Sequence, residues 1–112
     1  MASTRNSRKS VRRQEDHLAE LIGGKRNKAS GALPWDKGDA ARAGVVRAEA
    51  KQTKSKQYIV KLETLEKIRS ECSPGEYPLL HFSFVDHLGH VIDSWVAVPE
   101  EIWRKHATTK TD

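Results

Sequence analysis

Asp39, Glu49 and Lys51 are the residues whose types and spacing could do chemistry. Glu49 and Lys51 stand two apart in the alternating run Val45-Val46-Arg47-Ala48-Glu49-Ala50-Lys51. On a strand such residues project from the same face, with Val46, Ala48 and Ala50 on the other. A carboxylate and an ammonium in a core strand are costly to bury unless they serve each other or a metal. Asp39 precedes the strand, and a chain reversal through Ala43-Gly44 returns it beside Glu49. Two converging carboxylates suit a hard cation such as Mg²⁺, which takes few protein oxygens and keeps several waters. An ion held there binds a phosphate oxygen, neutralises developing charge and acidifies a water. Lys51 then stabilises the phosphorane or orients the attacking water. The expected chemistry is hydrolysis of a phosphodiester without a covalent nucleophile. Taken alone, a Glu-x-Lys triplet is more often a solvated ion pair, so its surroundings have to decide.

The charge distribution favours a polyanionic substrate. The 112 residues carry a net charge of +5, unevenly placed. Residues 1–61 hold 15 Lys/Arg against 6 Asp/Glu, a net +9, and residues 62–112 hold 5 against 9, a net −4. A basic half of this kind attracts nucleic acid through phosphate contacts and counterion release. It is also what a plain basic tail would give. Lys25, Arg26, Lys28 and Lys37 bracket the acidic residues, and Lys54, Ser55 and Lys56 follow them, as phosphate contacts would. Cys72 is the single cysteine, so neither an intramolecular disulfide nor a cysteine zinc cluster is expected. No apolar run approaches the roughly 18 residues that span a bilayer. The basic N-terminus is not followed by the apolar segment of a secretory signal. The expected setting is a reducing cytoplasm, with no membrane partner.

The elements that must position these residues can be read coarsely. Residues 1–10 are polar and basic and read as a flexible arm, residues 11–106 as a single domain, and residues 107–112 as a polar tail. Val11, Leu18, Leu21 and Ile22 predict a helix over 11–22, capped by Ser10 and stopped by Gly23-Gly24. Residues 25–44 read as a long loop, with a short strand near 38–42 pairing with the strand at 45–51. Leu62, Leu65, Ile68 and Cys72 predict a helix over 61–72 with Cys72 buried. Residues 78–85 and 90–98 alternate around the turn Asp86-His87-Leu88-Gly89 and predict a hairpin. Pro99-Glu100-Glu101 opens a terminal helix. The fold class is α/β, a central mixed β-sheet flanked by helices.

The stretch Ser30-Gly31-Ala32, Lys37-Gly38-Asp39 and Glu49-Ala50-Lys51-Gln52-Thr53 resembles the PD-(D/E)xK nuclease superfamily. Within it the chain is most similar to archaeal-type and phage-encoded Holliday junction resolvases. The likeness runs on through Lys61–Ile68 and Trp95–Pro99 and spans about residues 14–99. It implies a restriction-endonuclease-like core and a divalent metal held by Asp39 and Glu49 with Lys51 beside them, Mg²⁺ by default and Mn²⁺ as a substitute. It implies a further shell ligand on the first helix, assigned to Glu15 with Glu20 as the fallback, and a phosphate-positioning role for Ser30. It implies a four-way DNA junction as substrate, and the host cytoplasm as location for a phage-encoded protein. A two-fold junction cut at two matched points implies a homodimer. Gly38 stands where the family name expects Pro.

Two rival expectations stay open. One is another nuclease of the same superfamily, acting on ends, flaps or mismatches. The other is a non-catalytic basic nucleic-acid-binding protein in which Glu49 and Lys51 are an idle ion pair. His17, His81, His87 and His90 match no compact metal-ligand spacing and read as surface or partly buried histidines. Trp95 reads as core, Trp35 as a candidate for base stacking, and Trp103 as packing the last helix or a dimer interface.

Overall fold

The computed structural model describes residues 2–27 and 37–108, with side chains from residue 8 onward. Ser30, Lys28 and Trp35 lie outside the described residues. The described elements are α1 (Ala2–Ile22), β1 (Lys25–Arg26), β2 (Ala40–Arg42), β3 (Val46–Thr53), α2 (Leu62–Glu71), β4 (Tyr77–Val85), β5 (Val91–Ala97) and α3 (Glu100–Thr108). The strands form one sheet in the order β1-β2-β3-β4-β5. β3 and β4 are parallel and joined by the α2 crossover, and every other pair is antiparallel. The mixed sheet and flanking helices expected from the sequence are present. No described helix is long and apolar enough to cross a membrane.

Strand alternation divides the sheet into two faces. Val46 and Ala48, with Ala50 partly buried beside them, meet Leu18, Ala19 and Ile22 of α1, and Ala40 and Leu79 complete this core. The opposite face carries Glu49, Lys51, Leu80 and Phe82. Ile68 is the buried residue of α2, while Leu62 is 71% exposed and Cys72 only half-buried. The four-residue stripe expected on α2 therefore narrows to its middle.

Three expectations change. Residues 2–10 of the stretch read as an arm belong to α1, and Ser10 lies inside the helix rather than capping it. Its hydroxyl is buried and donates to the Gly89 carbonyl at 2.6 Å. The row that α1 turns inward is Ser10, Gln14, Leu18 and Ile22 at four-residue spacing, half of it polar, while Val11 and Leu21 face solvent. The loop expected over 25–44 contains β1, which pairs with β2 where Gly24 permits close approach to Ala41. Trp95 is not core but 58% exposed, because β5 is an edge strand and α3 buries no side chain.

The hairpin that carries β3 is clamped by one ion pair. Arg47 Nε donates to Glu76 Oε1 at 2.8 Å, and both side chains are almost fully buried. Glu76 also accepts from the backbone N–H groups of Gly44 and Ser73. Burial raises the Glu76 carboxyl, but the Arg47 guanidinium and these amides outweigh it and hold the pKa below the ordinary value. Arg47 reaches on to the Lys37 carbonyl. The pair thus joins the β2–β3 turn, the α2–β4 turn and the chain leading to Asp39. Glu76→Ala strands a buried guanidinium and is expected to cost about 3–5 kcal/mol. Urea denaturation at neutral pH measures this, and a loss below about 1 kcal/mol would show that the clamp is dispensable.

Candidate functional site

β2 begins at Ala40, paired with Ala48, so β3 beyond that point has no strand partner on this edge. Asp39 fills the gap twice. Its N–H donates to the Ala48 carbonyl at 2.9 Å, and its Oδ2 accepts from the Ala50 N–H at 2.7 Å. The side chain thereby continues the ladder and is held directly across from Glu49. Gly38 precedes it at φ +87°, and a Cβ there would press on the Ala48 carbonyl at 3.1 Å. A proline, locked near −65°, cannot take that conformation. Asn27 ties the same segment from the other side. Its N–H donates to the Asp39 carbonyl at 2.8 Å, and its side-chain amide donates to the Lys37 and Gly38 carbonyls at 3.0 Å each.

Asp39 and Glu49 are neighbours across the sheet edge, next after the Ala40–Ala48 pair. Burial first, then the Asp39 charge, pushes the Glu49 carboxyl up to about 7, against the weaker pull of Lys51 and Lys67. Lys51 Nζ stands 4.0 Å from Glu49 Oε2, and the Lys51 side chain is the more exposed of the two. Glu15 approaches from α1, and its carboxyl is raised by burial and by Asp39. Glu20 is exposed. Tyr58 stacks on Phe82 at 4.8 Å between ring centroids and feels the Glu49 charge, so it walls this face.

Three of the expected residues, Asp39, Glu49 and Lys51, are therefore together, with Glu15 alongside. Among the described residues no group of three or more His, Cys, Asp or Glu side chains is arranged to hold a metal ion. The acidic centre is a pair of carboxylates, and Glu15 contributes charge rather than a third ligand. Two protein oxygens are the number that a strongly hydrated cation such as Mg²⁺ accepts.

The basic residues divide. Arg26 is engaged with Asp16 at 3.0 Å and Glu15 at 3.8 Å. Lys25, Lys54, Ser55 and Lys56 are exposed, the last three on the loop leaving β3, and Lys37 is half-buried at the entry to Asp39. Gln14, which the apolar pattern passed over, supports the site from within. Its Nε2 donates to the Lys51 carbonyl at 2.8 Å and meets His81 Nδ1 at 2.9 Å. A glutamine at a four-residue step from Leu18 was the available signal, and it carries meaning only once α1 is packed.

Glu49 has a consequence for stability. Its native pKa lies above the ordinary 4.5, so the folded state keeps the proton longer than the unfolded chain. Stability contributed by this group therefore falls as pH rises from about 4.5 to 7 and levels off above. Glu49→Gln is expected to stabilise the fold by about 1–3 kcal/mol at pH 8 and to change little at pH 4. Chemical denaturation of both proteins at the two pH values tests this, and equal differences at both would dissociate Glu49 from Asp39.

The chain matches no protein-family model, no curated protein and no solved structure.

Proposed function

We propose that this protein is a divalent-metal-dependent DNA endonuclease that resolves four-way junctions by paired symmetric nicks. The observation that carries the reading is the Asp39–Glu49 pair, which places two partly buried carboxylates beside each other at the edge of β3, next to Lys51. Like charges so placed are unfavourable unless a proton or a cation lies between them. Asp39 and Glu49 are the residues that would hold Mg²⁺ or Mn²⁺, with Glu15 reaching it through water. When bound, the ion supplies charge neutralisation at the phosphate and a more acidic water.

The chain's own residues do the rest. Asp39 is oriented by the Ala50 amide, which holds one of its oxygens and leaves the other for a cation. Lys51, mostly exposed yet within 4.0 Å of Glu49, brings positive charge to the phosphate without leaving the carboxylate. Lys54, Ser55 and Lys56 offer donors to the backbone of the same DNA strand. Ser30 is assigned to positioning the scissile phosphate on the resemblance alone. A two-fold dimer with two such sites matches a two-fold junction. Exposed Ile92, Trp95, Val96 and Trp103 on β5 and α3 supply an apolar surface suited to it.

The test is cleavage of a synthetic four-way junction and of plain duplex, with Mg²⁺ and with chelator. Paired nicks confined to the junction, dependent on Mg²⁺, are the expected result. Asp39→Asn, Glu49→Gln and Lys51→Ala are each expected to lower the rate by at least ~100-fold while retaining binding. Equal cutting of both substrates would favour the general nuclease. Junction binding that survives chelator with no cleavage under any metal would leave a non-catalytic binder. Removing Lys54 and Lys56 together is expected to weaken binding to all DNA alike and to flatten its log–log salt dependence by about 2. An unchanged slope would take that loop out of the interface.

A further inference from the structure

A second polar feature lies on the α1 face, apart from the acidic pair. A cleft of about 460 Å³ opens between α1 and the β4–β5 hairpin, lined among others by Arg13, Gln14, His17, His81, His90 and Ser94. Its described lining contains no carboxylate and includes one arginine and three histidines. Cationic Arg8, Lys9, Arg12 and Arg13 crowd the adjoining turns of α1, with no acid among residues 8–13. The surroundings therefore favour an anion.

The floor of the cleft is a built set of donors. His81 is only 2% exposed. Gln14 Nε2 faces both the Lys51 carbonyl and His81 Nδ1. A carbonyl can only accept, so the Gln14 nitrogen must donate, and Nδ1 of neutral His81 must accept. The imidazole proton then sits on Nε2. No described residue pairs with Nε2, yet no buried polar atom among the described residues lacks a partner. Nε2–H therefore opens into the cleft. Gln14 also reaches Ser83 at 3.3 Å, and Ser83 meets Ser94 at 2.7 Å. The Gln14 nitrogen cannot accept, so the buried Ser83 hydroxyl donates to Ser94, and the Ser94 hydroxyl proton is left to point outward. His17 lies edge-on to His81 at 5.8 Å between ring centroids and, with Arg13, forms the exposed rim.

We propose that this cleft binds a phosphate group, with the His81 Nε2–H and the Ser94 hydroxyl as fixed donors and Arg13 as the charge. The group is either a diester of a nucleic-acid backbone or a free phosphomonoester, since both present the same oxygens to these donors. The volume accommodates the sugar attached to it as well. Binding here needs neither a metal nor the Asp39–Glu49 pair, so it stands or falls separately from nuclease activity.

The experiment is a titration of the full chain, in chelator and at constant ionic strength, with inorganic phosphate. The imidazole resonances of His17 and His81 are read by NMR. Saturable shifts produced by phosphate and not by chloride are expected. Arg13→Gln, on the exposed face of α1, is expected to raise the dissociation constant about 10-fold without loss of fold. His81→Phe removes the buried donor, and His17→Gln serves as the rim variant if His81→Phe does not fold. Two further arms assign the source. Displacement of phosphate by a short duplex points to the DNA backbone. Tighter binding of a deoxynucleoside monophosphate that duplex leaves in place points to a free phosphomonoester. Absence of a saturable response, a response that chloride reproduces, or an Arg13→Gln protein that binds phosphate as well as the parent would overturn the proposal.

Discussion

The Ala50 N–H has no strand to pair with, because β2 begins opposite Ala48, and Asp39 Oδ2 takes its place at 2.7 Å. A buried amide left unsatisfied would cost about 1–3 kcal/mol. That requirement draws a carboxylate to the sheet edge and holds it there. The adjacent backbone serves the same end: Gly38 turns through positive φ, and Asn27 fastens the segment by three hydrogen bonds. A carboxylate so fixed stays beside Glu49, and burial together with the Asp39 charge raises the Glu49 pKa. Structural necessity at one backbone group thus creates the electrostatic stress that a cation would relieve.

On the α1 face of β3 a polar layer adjoins the apolar core. Ser10 and Gln14 occupy positions on α1 where Leu would be the simpler choice, and each is hydrogen-bonded to the sheet or its turns. Such a network specifies register, since shifting α1 by one residue would bury several donors without acceptors. Gln14 has a double position in it. One amide hydrogen holds the Lys51 carbonyl and the other fixes the tautomer of His81. The acidic pair on the β2 side and the basic cleft on the β5 side therefore share one side chain, with β3 and β4 between them.

The far edge of the sheet is unfinished. β5 is exposed along nearly its whole length, and α3 extends beyond it without burying a side chain. A nine-residue helix has little stability alone, and an apolar edge strand is a site for pairing. Both features leave apolar side chains of β5 and α3 open to solvent.

Much of the fold was legible from residue patterns. The alternation in Val46–Lys51 marked β3 and the shared face of Glu49 and Lys51. The turn at Ala43-Gly44 marked the reversal that returns Asp39, and the spacing of Leu65 and Ile68 marked α2. These are local properties, written in two- and four-residue periods. Burial was not local. Trp95 looked like core because its strand is apolar, but a strand's position at an edge depends on what the rest of the chain leaves uncovered. His81 read as surface or at most partly buried, yet it lies at 2% exposure beneath Gln14. Glu76 and Arg47, 29 residues apart, carried no sign of each other in the sequence. The chain by itself determined which groups were available and which faces they shared. Only the packed sheet decided which of them met, because desolvation and hydrogen-bond partners are set by neighbours distant in sequence.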